Sequence, residues 1–456
     1  MDGMIEDRTR TDDLTRVLAG KASALGYDGL PAPVRELARQ CILDYLGVAV
    51  AGARDPLVLI LLDEITEAGG SPQAVVIGHS ARLPALSAAL VNGAAAHALD
   101  YDDVNMAMPG HPSVAILPGL LALAELKSSA GSEVITAFVA GYETACRIGA
   151  ALQPGHYNLG FHSTSTVGSF GAAAACARLL GLDAETTAMA LGIAGTQAAG
   201  LKSQFGTMCK PFHAGKAAQN GLLATRLAAR GFSSRTDIVE CVQGFALTHG
   251  PDFVPAAALA APEAGFHVLA NLFKYHAACY FTHAPIECAR RLRDEHRLTR
   301  DMIAGITLKL DASCDRVCNI PVPVDGLQSK FSLRQTVAMS LAGVDTASLS
   351  AYSAENARDP GLIRLRERVS FDWQNNWPQT LCELELELVD RRRVSARHDA
   401  GIPAADIADQ GQRLAAKFDA LVAPVLGAPR ARELREMISD LENLNDIGSL
   451  ARLAGV

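Results

Sequence analysis

No C-x-x-C pair occurs among the ten cysteines of this 456-residue chain. Tetrahedral zinc and iron–sulfur centres usually declare themselves by such pairs, so both lose support. Cys314 and Cys318 stand four apart, a spacing that core or surface thiols explain better than a metal. Scattered cysteines without framework spacing read as reduced thiols of a cytoplasmic protein. An excess of positive charge is missing too: 41 basic side chains face 49 acidic ones, for a net charge of −8. Nucleic-acid binders usually carry a basic footprint, so that class is excluded, while a local cationic pocket for an anionic substrate stays open. The longest stretch without a charged residue, Ile148 to Ala177, holds Gln153, His156, Asn158 and His162 and is no membrane span. The first residues, MDGMIEDRTRTDD, lack the apolar core of a signal peptide. The expectation is a cytoplasmic protein with no membrane and no nucleic-acid partner. Contexts of the types G-x-S-x-G, H-E-x-x-H, G-x-G-x-x-G and G-x-x-x-x-G-K-[ST] are absent, which removes the usual support for hydrolase, metalloprotease, Rossmann and P-loop readings.

What the chain does have is enough apolar matter for a large core. Hydrophobic residues make up 49% and charged residues 20%, and the length allows two to four domains at roughly 100–200 residues each. Up to about residue 265 the pattern is helix after helix. Helical spacing predicts helices over 34–50, 83–99, 113–127, 133–152, 184–199 and 212–230, with Ser132 and Asp183 as N-caps. Abundant Gly, Ala and Ser on these segments predict closely packed helix axes. Near residue 268 the periodicity changes: Ile306–Leu310 and Leu381–Leu388 alternate, as strands with one wet face do, and Val369–Phe371 adds a short third. Helical segments over 283–293 and 331–341 lie between them. The tail is helical again over 407–421 and 431–444. The expected division is a helical domain over 1–267, completed by 404–456, and an α+β domain over 268–403.

Four polar constellations carry chemistry. His97, Asp100, Asp102 and Asp103, with His111-Pro112-Ser113 downstream, crowd carboxylates and imidazoles between apolar helices. On a helix His97 and Asp100 would share a face, so the pair could orient a general base, ligate a divalent ion, or merely end a solvated helix. The segment from Gly155 through Tyr157, His162, Ser163 and Thr164 leads into a helix of very small residues, whose N-terminus suits a carboxylate or phosphate, or is simply capped. Around Cys209 to Lys216, Lys210 precedes Pro211 and is expected in extended conformation just before a helix, beside His213. Two cations at a positive helix end favour a bound anion over a bare surface. Finally, Lys274 to His283, with Cys279 inside, sits at the expected domain junction, as a cleft or as an aromatic hinge. His and Lys groups with Asp and Tyr helpers suit proton abstraction next to a carboxylate.

Together these segments resemble the MmgE/PrpD family: HALDYDD (His97–Asp103) with HPS (His111–Ser113), GFHSTSTVGSFGAAAA (Gly160–Ala175), CKPFHAGKAAQNG (Cys209–Gly221) and KYHAACYFTHAPIE (Lys274–Glu287). Weaker echoes are CILDYLGVAVAG (Cys41–Gly52) and KFSLRQ (Lys330–Gln335). The resemblance implies a large all-α helical domain built from both chain ends plus a smaller α+β lid domain, a homodimer, and chemistry on small di- or tricarboxylates with no cofactor and no metal. Carried over by motif, the catalytic candidates are His111, His162, Lys210 and Asp100, and the substrate-binding candidates are Lys274, His97, Ser163, Thr164, Tyr157 and Cys279. The activity implied is that of a lyase of the 2-methylcitrate dehydratase kind, removing a proton α to a carboxylate. An epimerase of an iminodisuccinate-like acid and a non-catalytic metabolite-binding protein are the alternatives. The cis-aconitate decarboxylases of the family carry a histidine where this chain has Cys279, which argues against decarboxylation.

Overall fold

A computed structural model describes residues 13–456. The signal-peptide reading concerns residues almost all of which lie outside that range. The chain divides into two compact units. The first holds the described residues up to Ala98, Asp102–Phe273 and Ala404–Val456; the second holds Leu99–Tyr101 and Lys274–Pro403.

The first unit is helical. Its main elements are α1 (Ala32–Gly52), α2 (Ala85–Ala98), α3 (Pro112–Lys127), α4 (Gly131–Ala151), α5 (Ser163–Leu179) and α6 (Cys209–Ala228). Every residue of α5 from Ser163 to Ala177 is buried. Because that run is Ser, Thr, Gly and Ala with few larger groups, α3, α4 and α6 all pack against it. Glycine sets the closest crossing. A Cβ on Gly215 of α6 would stand 2.1 Å from the carbonyl oxygen of Leu90 on α2, and one on Gly93 would stand 2.7 Å from the Gly215 Cα. The two backbones therefore touch, and one turn further on they carry His97 on α2 and Lys210 with His213 on α6. The C-terminal helix Ile407–Leu426 lies along α1, where the buried Lys417 ammonium donates to Asp44 at 2.6 Å and Gln410 donates to Gln40 at 2.9 Å. No single helix among the described residues is long and apolar enough to cross a membrane.

The second unit is built on a four-stranded sheet, β1 (Ile303–Asp311), β2 (Val369–Gln374), β3 (Leu381–Leu388) and β4 (Arg393–Asp399), in the order β2-β1-β3-β4. β1 runs parallel to β2 (Ile306 opposite Val369) and antiparallel to β3 (Thr307 opposite Glu385), and β3 is antiparallel to β4. Ile306, Leu308 and Leu310 are buried with Leu384, Leu386 and Leu388, so the period-two pattern gives one apolar face. The helix His283–His296 packs on β3 and β4.

Several local expectations need correction. Ser132 does not cap α4: the helix begins at Gly131, and the Glu133 carboxylate reaches back to the Ala130 N–H at 2.9 Å. Asp183 does cap its helix, accepting from the Thr186 N–H at 2.8 Å, but the helix ends at Gly195 and not at 199. Lys210 is helical, since α6 starts at Cys209. Pro211 falls in the first turn, where its missing N–H removes no intrahelical bond. No Ser or Thr side chain caps α5; the N-cap position is His162 itself.

Candidate active site

Three imidazoles of the first unit gather, two of them against one carboxylate. α2 stops at Ala98, one residue after His97, and Asp100 then takes a left-handed backbone (φ +51°). Such a conformation is uncommon for a non-glycine residue and more tolerable for Asp than for most. Asp100 therefore does not share a helix face with His97. It is Asp102 that meets that ring, with its two oxygens 3.0 and 2.9 Å from His97 Nδ1. The same carboxylate lies 3.0 Å from His111 Nδ1. That nitrogen is also 2.9 Å from the Asp103 carbonyl oxygen. His111 is the N-cap residue of α3, and its backbone N–H donates to Thr164 Oγ1 at 3.0 Å. The Asp103 side chain accepts from both the N–H and the hydroxyl of Ser113.

His162, at the head of α5, completes the group. Its ring stacks on His97 at 5.8 Å between centroids, and His97 lies 4.6 Å from His111. His162 Nδ1 is 3.1 Å from His213 Nδ1, and the Phe205 ring meets it edge-on. Lys210 is buried and places its ammonium 5.5 Å from the Phe205 centroid. The Nε2 atoms of His97 and His162 are buried without a hydrogen-bond partner.

Burial drives His97 down to about 3; the Asp102 charge pulls the other way, and Lys210 adds to the depression. Burial likewise holds His162 well below the ordinary imidazole value, with His97, Lys210 and His213 contributing. Both rings are neutral near pH 7 and able to accept a proton. Burial pushes the Asp102 carboxyl upward, but the charges and hydrogen bonds of His97 and His111 override it and keep it well below the usual carboxylate range. Asp103, by contrast, is pushed up to about 7 by burial, with Asp44 and Asp102 adding to the rise and Ser113 opposing it. Two adjacent carboxyls thus differ sharply: one is a fixed anion, the other holds its proton near neutrality. His97, Asp102 and His111 offer ligand atoms within 4.8 Å of one another, so they are the residues that could hold a divalent ion. To ligate through Nδ1, His97 would have to give up its hydrogen bond to Asp102 and His111 its hydrogen bond to the Asp103 carbonyl.

The second unit contains the remaining candidates. Lys274 is fully buried and donates to Asp100 Oδ1 at 2.8 Å and to the Asp100 carbonyl at 2.7 Å. Its partner is an anion of the same unit. The Lys330 ammonium reaches the Leu99 carbonyl at 2.5 Å, and the Lys330 carbonyl accepts from the Cys279 N–H at 3.0 Å. Cys279 is buried against the Cys318 thiol, which also feels the charge of Asp100.

Of the candidates, His97, His111, His162 and Lys210 come together in the first unit, with Thr164 fixing the His111 backbone. Asp100, Lys274 and Cys279 come together in the second. Ser163 is buried in the first turn of α5. Tyr157 lies under Lys202, whose ammonium is 3.4 Å from its ring centroid and 3.1 Å from its carbonyl oxygen. Three residues outside the candidate set belong to these groups. Asp102 follows His97 by five positions across a helix end, a relation no periodicity exposes. His213 meets a histidine 51 residues away; its only signal was its place three residues after Lys210. Lys330 was signalled by the KFSLRQ echo.

Comparison with known proteins gives the family. Residues 16–256, more than half of the chain, match the MmgE/PrpD N-terminal domain, and residues 276–443 match the MmgE/PrpD C-terminal domain. The chain belongs to the MmgE/PrpD family. Among curated proteins, it is 27% identical over 477 aligned residues to a cis-aconitate decarboxylase of Aspergillus terreus, covering 98% of this chain and 97% of the relative. It is 27% identical to the cis-aconitate decarboxylase of Homo sapiens over 458 aligned residues, covering 96% and 94%. It is 26% identical to that of Mus musculus over 463, covering 96% and 93%. For a MmgE/PrpD chain, the small-residue helix α5 and the HALDYDD segment are where the fold meets the polar centre: α5 carries His162 and Thr164, and HALDYDD carries His97, Asp102 and Asp103.

Proposed function

We propose that this protein is a cofactor-independent lyase of the MmgE/PrpD type that acts on a small di- or tricarboxylate by proton transfer at the carbon next to a carboxylate. The observation that carries this reading is the pair of buried neutral imidazoles beside Lys210, His97 and His162, whose Nε2 atoms have no hydrogen-bond partner. A neutral imidazole can take a proton and, as imidazolium, return it, and a fixed ammonium stabilises the negative charge that develops on the carboxylate-bearing carbon. In elimination, His111 or His162 removes the α-proton, the electron pair forms the carbon–carbon double bond, and the imidazolium so formed delivers that proton to the β-hydroxyl, which leaves as water. Lys210 offsets the carbanion charge.

The names of the relatives favour a second reading, release of carbon dioxide from an unsaturated tricarboxylate such as cis-aconitate. There the electron pair of the broken carbon–carbon bond shifts through the double bond, and an imidazolium delivers a proton to carbon. Cys279, standing where the decarboxylases of the family carry a histidine, weighs toward elimination.

The test is to incubate the purified protein with a panel of citrate-, aconitate-, tartrate- and aspartate-like acids and follow products by proton NMR together with carbon dioxide release. An unsaturated acid formed without carbon dioxide supports elimination. Carbon dioxide with a carbon-protonated product supports decarboxylation. Inversion at carbon without either would replace both with an epimerase. Thermal stabilisation by an acid without turnover would replace them with a binding protein.

A further inference from the structure

One carboxylate lies between two rings. Asp102 is 1% exposed; it is hydrogen-bonded to Nδ1 of His97, and its carboxylate lies 3.0 Å from Nδ1 of His111. An ionised carboxylate only accepts, and a backbone carbonyl only accepts. His97 Nδ1 faces a carboxylate, and His111 Nδ1 faces the same carboxylate and the Asp103 carbonyl. Each Nδ1 must therefore carry a proton, so that the lone pair of a neutral ring lies on Nε2. The His97 Nε2 is buried and unpartnered, and its ring lies between His111 and His162.

We propose that Asp102 is the positioning residue of this centre: by holding the Nδ1 proton of His97 and setting its charge 3.0 Å from Nδ1 of His111, whose proton the Asp103 carbonyl holds, it keeps both rings in one tautomer and presents their Nε2 lone pairs as a proton-accepting pair. This deepens the lyase reading and, as a statement about catalysis, rests on it. It also gives His97 a part in proton transfer and not only in holding substrate. Asp102 acts entirely through the rings, since both of its oxygens are engaged by them. His111 has a second anchor in the Asp103 carbonyl, whereas Asp102 is the only hydrogen-bond acceptor found for His97 among the described residues. The two rings should therefore respond differently when the carboxylate is changed.

Asp102→Asn keeps the shape of the side chain and replaces one acceptor oxygen by an N–H donor. His97 Nδ1 then meets a donor and an acceptor together, and its proton is no longer held there. His111 keeps its Nδ1 proton on the Asp103 carbonyl. The experiment is nitrogen-15 NMR of the full-length protein labelled at histidine, with signals assigned through His97→Gln and His111→Gln. In the wild type both rings are expected as the Nδ1–H tautomer. In Asp102→Asn, His97 is expected to lose that signature while His111 retains it. On whichever polycarboxylate the wild type turns over, kcat is expected to fall about 10²–10⁴-fold, with KM changed less than about threefold. A wild-type His97 protonated at Nε2 overturns the proposal, and that measurement needs no variant. A folded Asp102→Asn with both tautomers and kcat unchanged overturns it equally. If no acid is turned over at all, the lyase reading fails, while the tautomer spectra still decide the role of Asp102.

Discussion

Replacing Asp103 by Asn should make the protein more stable at alkaline pH relative to wild type, by an amount the structure lets one work out. Its carboxyl is completely buried and sits at about 7, against 3.8 for the ordinary group. Between those two values the folded protein keeps a proton that the unfolded chain has released. The folded state therefore binds more protons, and stability falls as pH rises through that window. The difference between 3.8 and about 7 corresponds to about 4 kcal/mol, complete once the pH is above the folded value. Asparagine has no proton to lose and matches the site. Its oxygen can accept the Ser113 N–H, and its amide can donate to the Ser113 hydroxyl, where the acid form of Asp103 is placed to do the same. His97, depressed to about 3, acts in the opposite sense, its contribution being lost as pH falls below about 6.5 toward 3. It is present in both proteins and largely cancels from the comparison. The assay is thermal unfolding of wild type and Asp103→Asn at matched pH values from 5 to 8.5. Of the total, about 2.7 kcal/mol is lost between pH 5 and 8.5, so at about 1–2 °C per kcal/mol for a chain of this length the variant should gain about 3–5 °C on wild type across the series. A gap that stays constant with pH within about 1 °C would refute the buried, proton-holding carboxyl.

Other outcomes follow from the same geometry. Lys210→Ala should lower turnover by roughly a hundredfold or more, because the fixed cation beside the imidazoles is lost; turnover equal to wild type would remove Lys210 from the mechanism. Gly215→Ala should lower the unfolding temperature by several degrees, since its Cβ would stand 2.1 Å from the Leu90 carbonyl oxygen and relieving such overlap typically costs about 1–3 kcal/mol. A Gly215→Ala protein as stable as wild type would mean that α2 and α6 do not cross in backbone contact.

Much of the helical frame was legible because burial writes itself into periodicity. The apolar spacing over 34–50 lies inside α1, and the alternating 306–310 and 381–388 segments lie inside β1 and β3. β4 was not legible: in Arg393–Asp399 only Ala396 is buried, so an edge strand with one inward residue leaves no alternation to read. The helix Pro56–Ala68 leaves no helical signature for a related reason. Its continuous apolar run LVLILL shows no stripe, and Leu59 and Ile60 are exposed. At the site, residue types and motif order pointed to His97, His111, His162 and Lys210, which do lie together. Pairings that cross a helix end or link distant segments did not show. Asp102 instead of Asp100 meets His97 because the backbone turns left-handed at Asp100, a local choice that spacing rules for a continuous helix miss.

The central claim is that these buried rings move a proton at a carbon next to a carboxylate. Its most direct test is turnover in D₂O, with the acids followed by proton and deuterium NMR. The account predicts solvent deuterium on that carbon in recovered substrate or in product, lost along with turnover in His162→Gln. Turnover that leaves every carbon-bound hydrogen in place and adds none from solvent would contradict it.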